Sequence, residues 1–245
     1  MKVLALNSSP NMENGGTASI LTPFLEGMID AGAEVELLYL RKMKIGPCLG
    51  CGTCWSKTPG QCVQYDDMQT IYPKLAGSDV LVIATPVYVD GMNSQMKVVI
   101  DRCYALLQPI FEIRDGHTRH SRRPKFRPGK IVLVSACGHP EMDNFDHLVA
   151  HVKAICRNLD REYAGALLRP IAFFLPMLGQ MGISADGVYG AARDAGRQLV
   201  QNGEMKAQTL AKASAELVSR ETFVQTINAH VQKVLDALGK KQRRT

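Results

Sequence analysis

Three apolar runs are the feature that most limits how this chain can fold. They span residues 2–7 (KVLALN), 79–85 (DVLVIAT) and 130–136 (KIVLVSA). Strands that are buried on both faces of a sheet show this near-continuous apolar pattern. Residues 34–40 (EVELLYL) and part of 163–174 predict two more strands. Segments with helical spacing separate the five runs, so the chain predicts βαβ units and a parallel sheet.

The helical segments are placed by their apolar periodicity. They are predicted over residues 17–31, 66–76, 93–107 and 143–159, with two or three amphipathic helices from about 186 to 238. A chain of 245 residues fits one large domain with an appendage. We therefore expect an α/β domain over residues 1–185 and a helical extension over 186–245. The extension would pack on the same domain or at a subunit interface.

Ligands of open parallel sheets bind at the carboxyl ends of the strands, so the loops that follow the strands are informative. After the first strand, residues 7–17 (NSSPNMENGGT) lead into a helix. This loop has neither the Gly-x-Gly-x-x-Gly pattern nor a Gly-Lys-Ser/Thr end. Its neutral hydroxyl and amide donors at a helix N-terminus suit a phosphate. Ordinary turn chemistry is the alternative explanation.

Two further loops suit the rest of a nucleotide-like ligand. Residues 85–93 (TPVYVDGMN) place a rigid Pro86 and an aromatic Tyr88 after a buried strand, where they could flank a flat ring. Residues 135–139 (SACGH) are mostly small and allow a ligand to approach the backbone. The three loops together predict sites for a phosphate, a sugar and a ring.

Cysteines cluster in the run PCLGCGTCWSKTPGQC, within the loop 46–65. Cys48, Cys51, Cys54 and Cys62 have the spacing C-x2-C-x2-C-x7-C, while the other cysteines lie far apart. Four thiolates so spaced could surround an iron–sulfur cluster or a zinc ion. Free thiols or a disulfide left after loss of a cluster are the remaining alternative.

The composition limits the cellular compartment and the classes of binding partner that we expect. No apolar stretch approaches the ~20 residues of a membrane span, and the first residues do not resemble a signal peptide, so we expect a cytoplasmic protein without a membrane segment. The net charge of +6 is concentrated in residues 114–130, which hold seven Arg or Lys against one Asp. Regular aromatic interleaving is missing there, so we expect no nucleic acid. The segment is either a solvated loop or a surface for an anionic partner or a dinucleotide phosphate.

The motifs taken together resemble a known family. SSPNMENGGT, ATPVYVDGM, the step Asp101-Arg102 and the cysteine motif followed by DDM resemble the iron–sulfur flavoproteins. These belong to the NADPH-dependent FMN reductase branch of the flavodoxin-like fold. The resemblance covers residues 1–110 closely and the rest loosely. It implies a flavodoxin-like, doubly wound, five-stranded parallel sheet of order 2-1-3-4-5 with extra C-terminal helices, and a homodimer or homotetramer.

The resemblance also implies cofactor sites. The resemblance implies that the FMN phosphate is bound by Ser9, Asn11, Gly15, Gly16, Thr17 and Ala18. It implies that the isoalloxazine ring is contacted by Pro86, Val87, Tyr88, Asp90, Gly91 and Met92. The other side of the site would be closed by Ser135, Ala136, Cys137 and Gly138. Cys48, Cys51, Cys54 and Cys62 would ligate a [4Fe-4S] cluster. The chain departs from the family in carrying Asn11 where relatives often have Arg, and Val89 where they commonly have Trp.

The function implied is an FMN-dependent oxidoreductase. It would pass electrons between NAD(P)H or a ferredoxin-type partner and a small or protein acceptor, through FMN and a [4Fe-4S] cluster. No catalytic side chain is predicted, because the cofactor carries the chemistry. The alternative is a non-enzymatic electron carrier or FMN-binding protein whose cysteine loop is free of a cluster or holds zinc.

Overall fold

The computed structural model describes residues 1–242. The strands are β1 (Lys2–Asn7), β2 (Glu34–Tyr39), β3 (Val80–Tyr88), β4 (Gly91–Met92), β5 (Leu107–Arg114), β6 (His117–Arg122), β7 (Lys130–Ala136) and β8 (Glu162–Arg169). The helices are α1 (Gly16–Asp30), α2 (Met68–Gly77), α3 (Ser94–Arg102), α4 (Asp146–Leu159), α5 (Leu175–Gln180), α6 (Asp186–Asn202), α7 (Ala207–Ala213) and α8 (Arg220–Gln242).

The central sheet has the predicted order. Five parallel strands lie as β2-β1-β3-β7-β8, which is 2-1-3-4-5 when only these strands are counted along the chain. The two-residue β4 pairs antiparallel with the end of β3. β1, β3 and β7 are buried along nearly their whole length, which explains their continuous apolar sequences.

The register brings the three predicted ligand loops to one edge. Asn7 at the end of β1 pairs with Ala84 of β3, and Thr85 pairs with Ser135 of β7. All of these pairings are parallel, so the chain leaves the three strands on the same side of the sheet. The loops after β1, β3 and β7 are therefore neighbours, as the sequence predicts.

The first half of the basic segment, residues 114–122, belongs to a β-hairpin, which corrects the loop expected there. The helix predicted over 93–107 ends as α3 at Arg102, and β5 and β6 then pair antiparallel. Asp115 and Gly116 connect them with φ angles of 52° and 73°. Both residues of a type I′ turn have positive φ, and Asp-Gly is among its preferred sequences. That dipeptide was the signal that could have predicted the hairpin.

Charge pairs fix the hairpin to the domain. The guanidinium groups of Arg114 and Arg122 both bind the carboxylate of Asp160, at 2.5 and 2.6 Å. Asp160 directly follows α4. Part of the basic charge of residues 114–130 is thus neutralised inside the fold.

Helix α6 packs very closely on α1. A Cβ atom placed on Gly27 of α1 would lie 1.9 Å from the carbonyl oxygen of Arg193, and one on Gly196 of α6 would lie 2.0 Å from that of Phe24. Only glycine allows the two backbones to approach this far. The compact unit that spans Met1–Ser214 includes α6 and α7.

Alanine at Gly196 is expected to destabilise the protein by about 1–3 kcal/mol, because the new methyl group overlaps backbone that cannot move independently. The matched control is Gly190→Ala on the same helix, where a Cβ meets nothing within 4 Å. There the gain in helix propensity is about 0.5–1 kcal/mol. Urea unfolding followed by circular dichroism measures both. Equal effects at the two positions would contradict the close contact.

The second compact unit spans Ala215–Thr245, of which 243–245 lie outside the described residues. It consists mainly of α8, along which Val231, Val234, Leu235 and Leu238 are exposed at one-helix-turn spacings. Among the described helices, none is long and apolar enough to cross a membrane.

Candidate functional site

Two hydrogen bonds fix the start of the loop after β1. The amide of Ser8 donates to the carbonyl of Ala84 at 2.9 Å, and the side-chain oxygen of Asn7 accepts from the amide of Ser9 at 2.9 Å. A 3-10 turn over Met12–Asn14 then leads to α1. Gly15, the residue before the helix, offers no side-chain cap to the first amides. Those amides are donors at the positive end of the helix, where an anion binds favourably.

Two buried polar atoms in this loop have no partner. Thr17 is 1% exposed and Asn7 is fully buried, yet Thr17 Oγ1 and Asn7 Nδ2 make no hydrogen bond within the described part of the chain. An unsatisfied buried group costs roughly 1–3 kcal/mol. A ligand that accepts hydrogen bonds from both atoms would remove this cost. The donors therefore fit the predicted phosphate group of FMN.

Glycine leaves room beside these donors. A Cβ on Gly15 would lie 2.4 Å from Ser9 Oγ, and one on Gly16 would lie 2.9 Å from the Cβ of Ala172. The loop can hold neither side chain without moving. Ala18 is buried beside Thr17 in the first turn of α1, while Asn11 is exposed directly before the 3-10 turn. The backbone and small side chains, and not an arginine or lysine, form this part of the site.

The loop after β3 contains a strained turn. Val87 and Tyr88 pair with Met92 and Gly91, and the connecting residues Val89 and Asp90 have φ angles of 46° and 60°. This is the same turn geometry as Asp115-Gly116, but with a β-branched residue where Asn, Asp or Gly is preferred. Val89 is fully exposed, so its side chain makes no packing contact that would offset the strain. Strain of this kind is often found at functional sites.

Asparagine at position 89 is expected to stabilise the protein by about 1 kcal/mol, because Asn tolerates positive φ better than Val. Val63→Asn is the control, since Val63 is also exposed but lies outside the positive-φ residues. Chemical denaturation of the two variants gives the comparison. A Val89 variant no more stable than the Val63 variant would argue against strain in the turn.

Asn93 ties the loops together, and the sequence analysis did not single it out as a site residue. Its side-chain amide donates to the carbonyl of Ser8 at 2.6 Å, and its backbone amide donates to Thr85 Oγ1 at 3.2 Å. Its side-chain oxygen also accepts from the amide of Met96 and caps α3. The hydroxyl of Ser135 in turn donates to the carbonyl of Thr85 at 2.7 Å. The ends of all three strands are thus fixed relative to one another.

The loop after β7 meets the segment that follows β8. β8 ends at Arg169, within the range 163–174 in which a strand is predicted, and residues 172–174 form a 3-10 turn. The amide of Ala172 donates to the carbonyl of Cys137 at 3.3 Å. Phe173 is about half exposed, and its ring lies 3.9 Å from the position of a Cβ on Gly138. Phe173 is therefore a further candidate for ring contact, found only from the tertiary structure.

The predicted isoalloxazine residues share this edge but differ in exposure. Tyr88 and Asp90 are exposed, and Pro86, Val87 and Gly91 are partly buried. Met92 belongs to the hydrophobic core. On the other side, Ser135, Ala136 and Cys137 are buried and Gly138 is exposed. Burial raises the pKa of the Cys137 thiol, so it is neutral at physiological pH and suited to packing.

The cysteine loop is anchored at its base by a buried ion pair. Arg102 binds the carboxylate of Asp66 with both terminal nitrogens, at 2.9 and 3.1 Å, and also donates to the carbonyl of Gly46 at 2.8 Å. Asp66 accepts from the amides of Gly46 and Met68. The chain therefore enters and leaves the loop at one guanidinium group.

The tip of the loop is docked as well. The indole nitrogen of Trp55 donates to the carbonyl of Tyr104 at 2.8 Å. Arg123, from the basic segment, donates to the carbonyl of Cys54 at 3.1 Å. The Trp55 ring packs against Tyr104 and His120, with centroids 5.1 and 4.4 Å away. The cysteine loop and the hairpin thus form one continuous contact.

The four thiols share this loop without forming a ligand set. Cys48 and Cys51 are exposed, and Cys54 and Cys62 are partly buried. Across residues 1–242, no three Cys, His, Asp or Glu side chains converge as metal ligands do. The donor chemistry suits a cluster or zinc. Burial, and then the neighbouring thiols of Cys62, Cys48 and Cys51, raise the pKa of the Cys54 thiol. Gly50 and Gly52 have φ angles of 63° and 64°, so the segment around Cys51 depends on glycine.

Comparisons with known proteins identify the family of the chain. Residues 1–159 match the model of the family described as NADPH-dependent FMN reductase. An iron-sulfur flavoprotein of Archaeoglobus fulgidus is 36% identical over 141 residues, 58% of each chain. One of Methanocaldococcus jannaschii is 32% identical over 138 residues, 56% of this chain and 62% of that protein. The chain thus spans about 58% and 62% of the length of these curated relatives.

Solved structures share the fold. An FMN-dependent NADH-azoreductase from Bacillus anthracis, in complex with FMN, gives a TM-score of 0.57 at 16% identity and covers 82% of this chain and 99% of that one. An NAD(P)H:quinone oxidoreductase from Methanothermobacter marburgensis gives 0.53 at 17% identity, with 81% and 96% covered. At these identities the likeness concerns the fold alone.

Proposed function

Because the chain belongs to the family of NADPH-dependent FMN reductases, we propose that it is an FMN-dependent oxidoreductase that takes electrons from NAD(P)H or a ferredoxin-type protein. The observation that carries the proposal is the pair of buried, unpartnered donors, Thr17 Oγ1 and Asn7 Nδ2, beside the free N-terminus of α1. The acceptor is a small molecule or a protein. Bound FMN would supply hydride and single-electron chemistry.

The chain's own residues would bind and orient the cofactor. The first turn of α1, with Gly15, Gly16 and Thr17, would hold the phosphate through neutral donors. Tyr88 and Phe173, both about half exposed, would contact the ring from different loops. Asn93 would keep these loops in register through its bonds to Ser8 and Thr85. No side chain is needed as an acid or base.

Purified protein supplied with FMN and NADPH tests the activity. We expect tight FMN binding and steady oxidation of NADPH with a quinone or free flavin as acceptor. Riboflavin, which lacks the phosphate, serves as the matched ligand and should bind far more weakly. Absence of FMN binding would overturn the proposal as a whole.

The second candidate is a carrier that exchanges electrons only with proteins. It is favoured by the basic segment, where Lys125 and Arg127 remain exposed while Arg114 and Arg122 are used inside the fold. Exposed cations suit an acidic redox protein. Flavin that is reduced quickly by reduced ferredoxin but shows no turnover of NADPH with any small acceptor would select this candidate.

We further propose that Cys48, Cys51, Cys54 and Cys62 ligate a [4Fe-4S] cluster. The support is their presence on one anchored loop and the names of the two relatives, both iron-sulfur flavoproteins. Iron and acid-labile sulfide are measured in protein purified without oxygen. Zinc in place of iron and sulfide, or the absence of any metal, would refute the cluster.

We also propose a homodimer or homotetramer. The exposed apolar residues of α8, Val231, Val234, Leu235 and Leu238, form a stripe that a second copy could cover. Sedimentation equilibrium of the wild type and of a Val234→Lys, Leu235→Lys variant gives the test. A monomer in both cases would contradict the assembly.

A further inference from the structure

A second cavity lies between α3, α4 and the β5–β6 hairpin. Its volume is about 370 Å³, and none of the residues that line it belongs to the three strand-end loops. This volume lies within the range of small-molecule sites. Its apolar wall consists of Ile100, Tyr104, Leu107, Phe111, Ile155 and Leu159. Two of these six are aromatic, so the wall suits a flat, apolar body.

The polar groups of the cavity carry a net positive charge. Lys97 and Asp101 neutralise each other in an ion pair of 2.5 Å. Arg119 also lines the cavity, and its guanidinium forms no ion pair in the described chain. Its side chain donates to the carbonyl of Thr118 at 3.4 Å, while Glu112, opposite it on β5, is paired with Arg114. One positive charge thus remains. The cavity therefore matches a ligand with a single negative charge.

His120 adds an unsatisfied buried atom. Its ring lines the cavity, and its Nδ1 is buried without a hydrogen-bond partner among residues 1–242. The ring lies between Trp55 and Phe111, with centroids 4.4 Å from each. This stacking holds the imidazole in place. A ligand oxygen at Nδ1 would satisfy an atom that otherwise costs stability.

We propose that this cavity binds a small aromatic monocarboxylate. The aromatic body would lie against Tyr104, Phe111 and the aliphatic wall, and the carboxylate would bind Arg119 and His120. A phosphate or a dianion fits less well, because the cavity offers one uncompensated cation and a largely apolar wall. A neutral aromatic molecule would leave Arg119 without a partner.

The site is coupled to the cysteine loop by shared residues. Tyr104 lines the cavity, and its carbonyl receives the hydrogen bond from Trp55 that docks the loop tip. His120 contacts the same indole ring. Trp55 is the single tryptophan of the chain. Its fluorescence therefore reports on the cavity without interference from another tryptophan.

The experiment titrates protein saturated with FMN with 3-phenylpropionate and follows the emission of Trp55. We expect the emission to change saturably with 3-phenylpropionate. The neutral analogue 3-phenylpropanol should bind at least tenfold more weakly. Arg119→Gln should weaken binding of the carboxylate at least tenfold and leave the alcohol unchanged. FMN occupancy is read from the flavin absorption, so a failure to bind FMN is detected separately from a failure at this cavity.

Two tyrosine variants of α4 locate the binding. Asn158 is exposed and lines the cavity, whereas Ala150 is exposed on the same helix but does not. Asn158→Tyr should abolish the response and Ala150→Tyr should preserve it. An unchanged emission in the wild type, or equal titrations in all variants, would overturn the proposal. A protein dimer that dissociates in the Asn158→Tyr variant, without any response to 3-phenylpropionate, would also overturn the proposal. The cavity would then be a contact between protein chains.

Discussion

Replacing Thr17 by valine is expected to weaken FMN binding roughly ten- to a hundredfold. The hydroxyl is buried and unpartnered in the described chain, at the first turn of α1. A hydrogen bond to a charged group contributes about 1.5–3 kcal/mol, and each 1.4 kcal/mol corresponds to about a tenfold change in affinity. The apoprotein should be as stable as the wild type or more stable, because valine fills the same space without an unsatisfied oxygen.

Quenching of FMN fluorescence gives the affinity, and urea unfolding gives the stability of the apoprotein. Thr70→Val is the matched control, because the Thr70 hydroxyl already donates to the carbonyl of Asp67 outside the site. The variants should differ little in their affinity for riboflavin, since riboflavin lacks the phosphate. A Thr17 variant that loses riboflavin and FMN equally would show that the hydroxyl does not bind the phosphate.

Replacing Asp66 by asparagine is expected to destabilise the protein by about 3–5 kcal/mol, because the change leaves a buried guanidinium without its carboxylate. The side chain of Arg102 is 1% exposed, and Asp66 is its only carboxylate partner in the described chain. The base of the cysteine loop should loosen at the same time. Thermal unfolding measures the first effect, and the rate at which the loop thiols react with a disulfide reagent measures the second.

Asp101→Asn is the control for this change. Asp101 pairs with Lys97 at the surface, with both side chains more than 40% exposed, and such pairs contribute about 0–1 kcal/mol. Equal losses for the two variants would contradict the role of burial. Faster thiol reaction is expected for the Asp66 variant only.

The pH dependence of stability has a definite sign. Burial acts to raise the pKa of Asp66, but the Arg102 guanidinium and the amides of Gly46 and Met68 outweigh it, so the pKa is lowered. The carboxylate is then favoured by folding, and its contribution is complete above the unfolded pKa of about 3.9. It is lost as the pH falls below that value. Asp66→Asn should remove this part of the acid destabilisation.

The sheet was predictable because burial on both faces leaves a direct mark on the sequence. β1, β3 and β7 each have a nearly continuous apolar sequence, and their alternation with helices predicts a parallel sheet, while the strand order is implied by the family resemblance. The hairpin was not predicted because the many charges of residues 114–130 indicate a solvated loop, although Asp115-Gly116 is a preferred hairpin turn sequence. Some of these charges are paired inside the fold, because Asp160, which lies far along the chain, binds Arg114 and Arg122.

The site was predictable where it follows a strand directly and not where it depends on tertiary contacts. The loops after β1, β3 and β7 meet at one edge, as the parallel topology requires. Phe173 and Asn93 reach the same edge through packing and hydrogen bonds that no short motif records. Cysteine spacing predicted that the thiols share a loop, but spacing does not determine whether they converge.

The ion pair at the base of the cysteine loop has a consequence for how this protein can change over evolutionary time. Gly46 and Asp66 are held by the same guanidinium group, so the loop between them begins and ends at one point of the domain. Insertions or replacements between Cys48 and Cys62 need not alter the path of the sheet. The loop is thus an exchangeable module, whose sequence and thiol content can change while the sheet and its strand-end loops keep their positions.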